Sequence, residues 1–401
     1  MSTAQTAQRT YQRTHPWLDF RVDFRPANPE LWMLLGEAKS KIEHVARTLL
    51  NPDVAQEMHI VYLAKGVLAT TAIEGNTLSE AEARLRIEGQ LELPPSQEYL
   101  GREIDNIIAG YNEIKDELVY GSAPPLTRQV IVHYNRLVLA GLELEDGVVP
   151  GEVPQRNVGV GNYLGAPRED CEFLLDRLCS WLNTDFQPRE PDWILPMALI
   201  KAVVAHLYLA WIHPFGDGNG RTARLMELRI LLEAGVPTPA AHLLSNHYNQ
   251  TRLEYYRQLQ RASNAAGGGA LPFVQYALQG FVDGLRDQLA RIREQQFGDR
   301  WEQHIYQEFG RTNSRSKLRQ RQLVLEMSQQ DDPLQKGELR HLSGELVEMY
   351  GGKTDKTLTR DINALIGMGL IRREGRLYFP NKGLIEAFHP VSAEPEPHSA
   401  S

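Results

Sequence analysis

Twelve consecutive residues, HPFGDGNGRTAR at positions 213–224, set a histidine, a carboxylate, three glycines, an asparagine and two arginines straight after a long apolar run. Gly216, Gly218 and Gly220 let successive backbone N–H groups converge. A helix starting near Arg221 would turn its positive end toward the same point, so the loop reads as an anion site. Arg221 and Arg224 stand one turn apart on that helix, where two planar guanidinium forks can hold different phosphates of one ligand. Asp217 supplies a hard oxygen suited to Mg²⁺ or Mn²⁺, and the Asn219 amide can bond a phosphoryl oxygen. His213, at the loop entrance, has an ordinary pKa of about 6.5 and so suits a general base at neutral pH. Base, metal ligand, amide nest and paired arginines together describe transfer at phosphorus to a hydroxyl group.

A second stretch, TTAIEGN at 70–76, places Glu74 at the C-terminal end of a helix. That helix is marked at its start by Asn51 as cap and Pro52 at the first position, and at its end by Gly75 and Asn76. A carboxylate at the negative end of a helix is unfavourable by about 0.3–1 kcal/mol unless a cation answers it. We expect Arg224 to be that cation.

The elements that must hold these residues are mostly helical. The apolar run 194–212 is nearly long enough to span a bilayer, but Lys201 and His206 lie inside it, so it reads as a helix buried in a protein core. Proline at 214 ends it. Helical periodicity also marks 98–118, 126–141, 168–184, 221–234, 249–264 and 271–294, while the pattern before residue 50 is irregular. The segment 147–167, rich in Gly, Pro and Asn with interleaved valines, reads as a loop carrying a short hairpin. From 297 to 321 the chain reads as a linker, closing on RTNSRSKLRQR with five basic residues and no acid. Beyond it, three short helices at 323–330, 336–344 and 354–369 precede a two-stranded hairpin around Gly375, the order of a winged helix-turn-helix. The sequence thus predicts five regions: 1–115, helical, with the 52–75 helix; 116–296, the core; 297–321; 322–382; and 383–401, a tail too poor in apolar residues to fold.

Composition fits a soluble globular protein of two or three units. A formal charge of −8 argues against whole-chain binding to nucleic acid or anionic membrane. Cys171 and Cys179, eight apart in a periodic segment, read as reduced packing thiols. The first residues lack the apolar stretch of a secretory signal, which makes a cytoplasmic protein the expectation. GGKT at 351–354 does not make a phosphate-binding P-loop, because Val347 stands where that motif requires glycine and no strand precedes it.

The 213–224 string matches the HPFx[D/E]GNGRxxR signature, and the chain from about 50 to 295 resembles Fic-domain protein adenylyltransferases. The resemblance implies a mainly α Fic-fold helical bundle with a short β-hairpin flap, here carrying the small winged-helix unit at its C-terminal side. It implies transfer of AMP from ATP to a Ser, Thr or Tyr hydroxyl of a protein, the chain itself included. His213 would be the base, Asp217 the Mg²⁺ ligand, the Gly218–Asn219–Gly220 turn with Arg221 the phosphate site, and Arg224 the γ-phosphate contact. Val160, Gly161, Asn162 and Tyr163 correspond to the flap on which a protein target docks, and Tyr255 and Tyr256 to the adenine side. Relatives often carry an asparagine where this chain has Ser263, with Asn264 one later. Thr70, Glu74 and Gly75 match the [S/T]xxxE[G/N] inhibitory motif, which implies that Glu74 takes Arg224 from the γ-phosphate. An AMP-removing activity and a DNA-binding role for the winged helix are alternatives. The region 336–382 carries nine Lys/Arg against six Asp/Glu, and either a DNA or a protein partner suits it; a homodimer is also open.

Overall fold

The computed structural model describes residues 9–121, 123–161, 163–263, 269–311, 314–330 and 332–385. It divides into two compact units, 1–289 and 290–401.

The first unit is built around the apolar helix Ile194–Ile212, which is buried on every face. A helix that is apolar all round belongs inside a core, and its only lysine, Lys201, is half-buried with burial pushing its ammonium pKa down. Helix Asn219–Glu233 returns along it, joined by the six residues 213–218. Around this pair pack Pro52–Ala72, Glu98–Val119, Arg128–Val138 and Arg168–Thr184. Asn51 caps the first of these by accepting from the Asp53 amide, and Pro52 begins it. Gly75, at φ +111°, turns the chain away after its end.

Several elements depart from the sequence reading. The irregular start contains the 19-residue helix Pro29–Arg47, capped by Asn28 and burying Leu31, Leu34, Leu35, Ala38 and Ile42. The helix expected at 249–264 is two, Leu243–Gln250 and Arg252–Ala262. The one expected at 271–294 continues to Phe309. Between Arg128–Val138 and Arg168–Thr184, strands Gly159–Val160 and Tyr163–Leu164 form the expected hairpin, with Val160 opposite Tyr163.

In the second unit, Trp301, Ile305 and Phe309 are buried with Leu323, Val324, Leu346, Leu358, Ile362 and Leu365. The segment 297–321 is therefore no linker, since its first half supplies core residues one helical turn apart. Helices Arg315–Ser328, Gly344–Tyr350 and Asp355–Gly367 pack with a three-stranded antiparallel sheet in the order Leu334–Gln335, Leu377–Pro380, Ile371–Glu374. The expected helix at 336–344 is only a short 3-10 turn at Leu339–His341, and the true helix begins at Gly344. The tail from 386 onward lies outside the described residues.

Candidate active site

His213 stands at the end of Ile194–Ile212 in left-handed conformation, φ 49° and ψ 55°. A β-carbon in that region is strained by about 1 kcal/mol or more. The contacts that fix it are the His213 amide to the Leu209 carbonyl at 2.9 Å and the Ala166 amide to the Ile212 carbonyl at 3.0 Å. The second tie brings the return strand of the hairpin onto the helix end. Gly165 is required there, because a Cβ would lie 2.8 Å from that of His213. The imidazole Nδ1 is 3.3 Å from the Ala210 carbonyl, which can only accept. Nδ1 therefore carries the proton of the neutral ring and Nε2 keeps its lone pair. Burial holds the His213 pKa below its usual 6.5, against the opposing pull of the Ala210 carbonyl, Glu74 and Asp217.

The loop that follows is closed by its own side chains. Asn219 accepts from the Phe215 amide at 3.0 Å and donates to the Phe215 carbonyl at 2.7 Å. One amide proton and the carbonyl of Asn219 thus hold the loop, which leaves its second amide proton for a phosphoryl oxygen. Asn135, unsuspected in the sequence, donates to the Asp217 carbonyl at 2.9 Å and Thr222 Oγ1 at 3.2 Å, and accepts from the Gly151 amide at 2.8 Å. Gly218, at φ +75°, begins the helix with Asn135 and Leu139 packed where a side chain would go. Gly216 is pressed on Val148 in the same way.

The two arginines are both buried but held differently. Arg221 donates to Glu103 Oε1 at 2.7 Å and straddles the Asp217 carboxylate at 3.2 and 3.3 Å. Glu103 is a second residue the sequence did not single out. Burial pushes its pKa up while Arg221 pulls it down, and its other oxygen accepts from Asn76 at 2.9 Å. Asp217 is exposed, and among the described residues no group of three or more His, Cys, Asp or Glu side chains could hold a metal ion. Its single hard carboxylate fits an ion that brings phosphates and water as its remaining ligands.

Arg224 answers Glu74. Its Nη2 lies 2.5 Å from Glu74 Oε1 and 2.9 Å from the Thr70 carbonyl. Burial disfavours the Glu74 charge, but Arg224, with help from Arg221 and His213, holds its pKa below the usual 4.5. The Arg224 Nε and Nη1 are buried and find no partner among the described residues. The Glu74 carboxylate rests on Gly220, where a Cβ would lie 2.1 Å from Oε1. It thus sits at the glycine-lined helix start that the sequence marked as an anion site.

A cavity of about 690 Å³ opens on these groups. Of the residues singled out in the sequence, His213, Glu74, Gly220, Val160, Gly161, Tyr163, Tyr255 and Tyr256 line it. Gly216, Asp217, Gly218, Asn219, Arg221 and Arg224 stand outside its wall, and Asn162 and Asn264 are outside the described residues. Ser263 lines it, with its hydroxyl donating to the Gln260 carbonyl at 3.0 Å. The two tyrosines part company. Tyr255 is buried and hydrogen-bonded to His206 at 2.9 Å, whereas Tyr256 is 41% exposed and its hydroxyl donates to the Ile73 carbonyl at 3.3 Å. The flap is anchored by the Tyr163 hydroxyl to the Trp211 carbonyl at 2.7 Å, and by His15 Nε2 to the Leu164 carbonyl at 2.9 Å.

The family model described as Fic/DOC family matches residues 125–231, which hold the hairpin, His213 and both arginines. This segment is a Fic domain. Protein adenylyltransferase fic-1 of Caenorhabditis briggsae is 28% identical over 241 residues, 60% of this chain and 43% of that protein. Protein adenylyltransferase Fic of Aedes aegypti is 31% identical over 207 residues, 52% of this chain and 38% of that protein. The chain thus spans less than half the length of these curated relatives. Among solved structures, a Fic family protein from Desulfovibrio desulfuricans G20 superposes with a TM-score of 0.53 at 21% identity, covering 90% of this chain and 98% of that one. Fic-1 of C. elegans, residues 134–508, superposes with 0.51 at 24% identity, covering 66% and 73%. The Fic domain of this chain therefore has the mainly helical Fic fold with its small β-hairpin.

Proposed function

We propose that the protein transfers AMP from Mg·ATP to a hydroxyl side chain of a protein, and that Glu74 restrains the reaction. The observation that carries this reading is the convergence of His213, Gly220 and Glu74 on one cavity, with Glu74 held there by Arg224 behind the wall. The target hydroxyl oxygen attacks the α-phosphorus, its proton passes to His213 Nε2, and pyrophosphate leaves. Asp217 would hold Mg²⁺, which supplies charge neutralisation on the phosphates when bound. Arg221, already oriented by Glu103, faces the same phosphates, and the free Nε and Nη1 of Arg224 suit a further phosphoryl group once Glu74 withdraws. Gly161 and the exposed Val160 offer an extended target segment a strand to add to.

ATP labelled at the α-phosphate, offered to the Glu74→Gly chain, should label the protein. Label retained from the γ-phosphate instead would mean phosphoryl transfer and overturn the reading. Loss of AMP from premodified protein tests the reverse activity at the same site.

The second unit supports a further role, binding duplex DNA. Helix Asp355–Gly367 turns Lys356, Arg360 and Asn363 to solvent on one face, and Asp355 is neutralised by Arg340. In a winged-helix module this is the face that enters the major groove. Affinity should fall steeply across a salt series, and Lys356→Ala should lower the slope by about one. Binding that ignores salt would favour a protein partner instead.

A further inference from the structure

Behind the cavity wall a polar cluster interrupts an apolar core. Tyr255 presents its ring to the cavity, but its hydroxyl points inward, 2.9 Å from His206 Nε2. His206 is fully buried on Ile194–Ile212, two turns before His213. Its Nδ1 lies 3.4 Å from Glu227 Oε2 and has no hydrogen-bond partner among the described residues. Glu227 is buried on Asn219–Glu233, one turn after Arg224, and accepts from the Tyr248 hydroxyl at 2.9 Å. Tyr248 in turn stacks on Tyr255, centroids 4.9 Å apart and planes 28° apart.

The direction of these bonds follows from the partners. A carboxylate oxygen at Nδ1 calls for the ring proton there, which leaves Nε2 to accept from Tyr255. Burial pushes the Tyr255 phenol well above its usual range, so it stays a donor. A hydrogen bond from Tyr255 to His206, and the Glu227 carboxylate 3.4 Å beyond it, therefore link the cavity wall to the helix of His213 and the helix of Arg224. A core needs none of this for stability: phenylalanine would fill the space of Tyr255, and burying His206 and Glu227 carries a desolvation cost that apolar residues avoid. What the polar chain adds is direction. A ring packed only by dispersion can tilt, whereas one tethered at its hydroxyl cannot without breaking a buried bond.

We propose that His206, backed by Glu227, is a positioning residue for the nucleotide: it holds the Tyr255 hydroxyl in the core and so fixes the ring as a wall of the cavity. The proposal rests on the cavity being the ATP site. Tyr255→Phe keeps the packing and removes the tether. His206→Leu removes its acceptor, and His206→Gln returns an acceptor of similar reach.

ATP binding is measured by calorimetry on the full chain, and KM and kcat for self-modification in the Glu74→Gly background. Tyr255→Phe and His206→Leu should each weaken ATP binding and raise KM about tenfold, with kcat changed less than about twofold. The double variant should be no weaker than the worse single one, because both break the same bond, and His206→Gln should recover most of the loss. Unchanged ATP affinity in Tyr255→Phe overturns the proposal, as does a loss confined to thermal stability in all three variants. A wild-type chain that binds no ATP overturns the reading of the cavity itself, an outcome distinct from the other two.

Discussion

Each unit contains a buried arginine paired with a carboxylate, and the two pairs are finished differently. In the second unit Asp361 is 2% exposed and saturated: Arg319 donates from Nε at 2.6 Å and Nη2 at 3.2 Å, Gln320 at 2.8 Å and the Tyr350 hydroxyl at 3.1 Å. In the Fic domain's unit the Glu74 side chain remains 32% exposed and meets Arg224 through a single nitrogen, leaving two buried donors of that arginine without partners. A saturated buried pair orients its helices and has nothing further to bind. An unsaturated one, with its acid lining a cavity and its cation behind the wall with two unpartnered donors, holds an anion-binding capacity in reserve. On the function proposed above, the Arg319–Asp361 pair is scaffold and the Glu74–Arg224 pair is the control element.

The largest test asks whether the neighbourhood of the unsaturated pair is catalytic at all. In the Glu74→Gly background, His213→Ala should lower incorporation of label from ATP by about 10²–10⁴-fold. Retained incorporation would detach Glu74 and Arg224 from any reaction. Next, Asp361→Ala strands Arg319 in the core and should cost about 3–5 kcal/mol in denaturant unfolding of the second unit, with the transfer rate unchanged. Glu74→Gly inverts that pattern. It should raise the transfer rate about 10–100-fold, the worth of one or two charge-assisted bonds returned to a phosphate. It should cost only about 1 kcal/mol of stability, since Glu74 is partly hydrated already. Added ATP should also raise the melting temperature of this variant more than that of the wild type. Equal stability losses at 74 and 361 would erase the distinction.

How much of this could be seen in the sequence depended on the range of the contact. The 213–224 loop was legible because its chemistry is local: residue types, glycine spacing and a proline stop are written side by side. Glu74 was legible because a carboxylate at a helix C-terminus is a local anomaly. The loop-closing role of Asn219 was not legible, since nothing in the string says that its amide pairs with Phe215 four residues back. Glu103, Asn135 and His206 were invisible as site supports because their partners lie far along the chain, Arg221 being 118 residues from Glu103. Each looks in sequence like one polar residue among several on an ordinary helix. The helix Pro29–Arg47 was obscured by the exposed Trp32 and Met33, which blur its apolar stripe. In 297–321 abundant polar and basic residues concealed Trp301, Ile305 and Phe309, four apart, which are the signal that should have marked a buried face.

The smallest predicted effect separates the two carboxyl-linked events by pH. His213 titrates below 6.5 because burial opposes its charge, so its lone pair is present at neutral pH and is lost as pH falls through that lowered value. Glu74 titrates below 4.5, so its pairing with Arg224 is fully present above 4.5 and is lost only as pH falls through its own lowered value. Acid therefore acts on the two groups in opposite senses: protonating His213 removes the base, whereas protonating Glu74 frees the arginine. The wild-type rate should fall as pH drops through the lowered His213 value, and a rise at the acid end would show that Glu74 protonates first. Because Glu74 also helps keep the imidazole pKa up, Glu74→Gly should move the acid limb to lower pH, the direction expected when a nearby negative charge is removed. A shift in the opposite direction would mean that the carboxylate does not face His213, and the pair would then belong with Arg319 and Asp361 as scaffold.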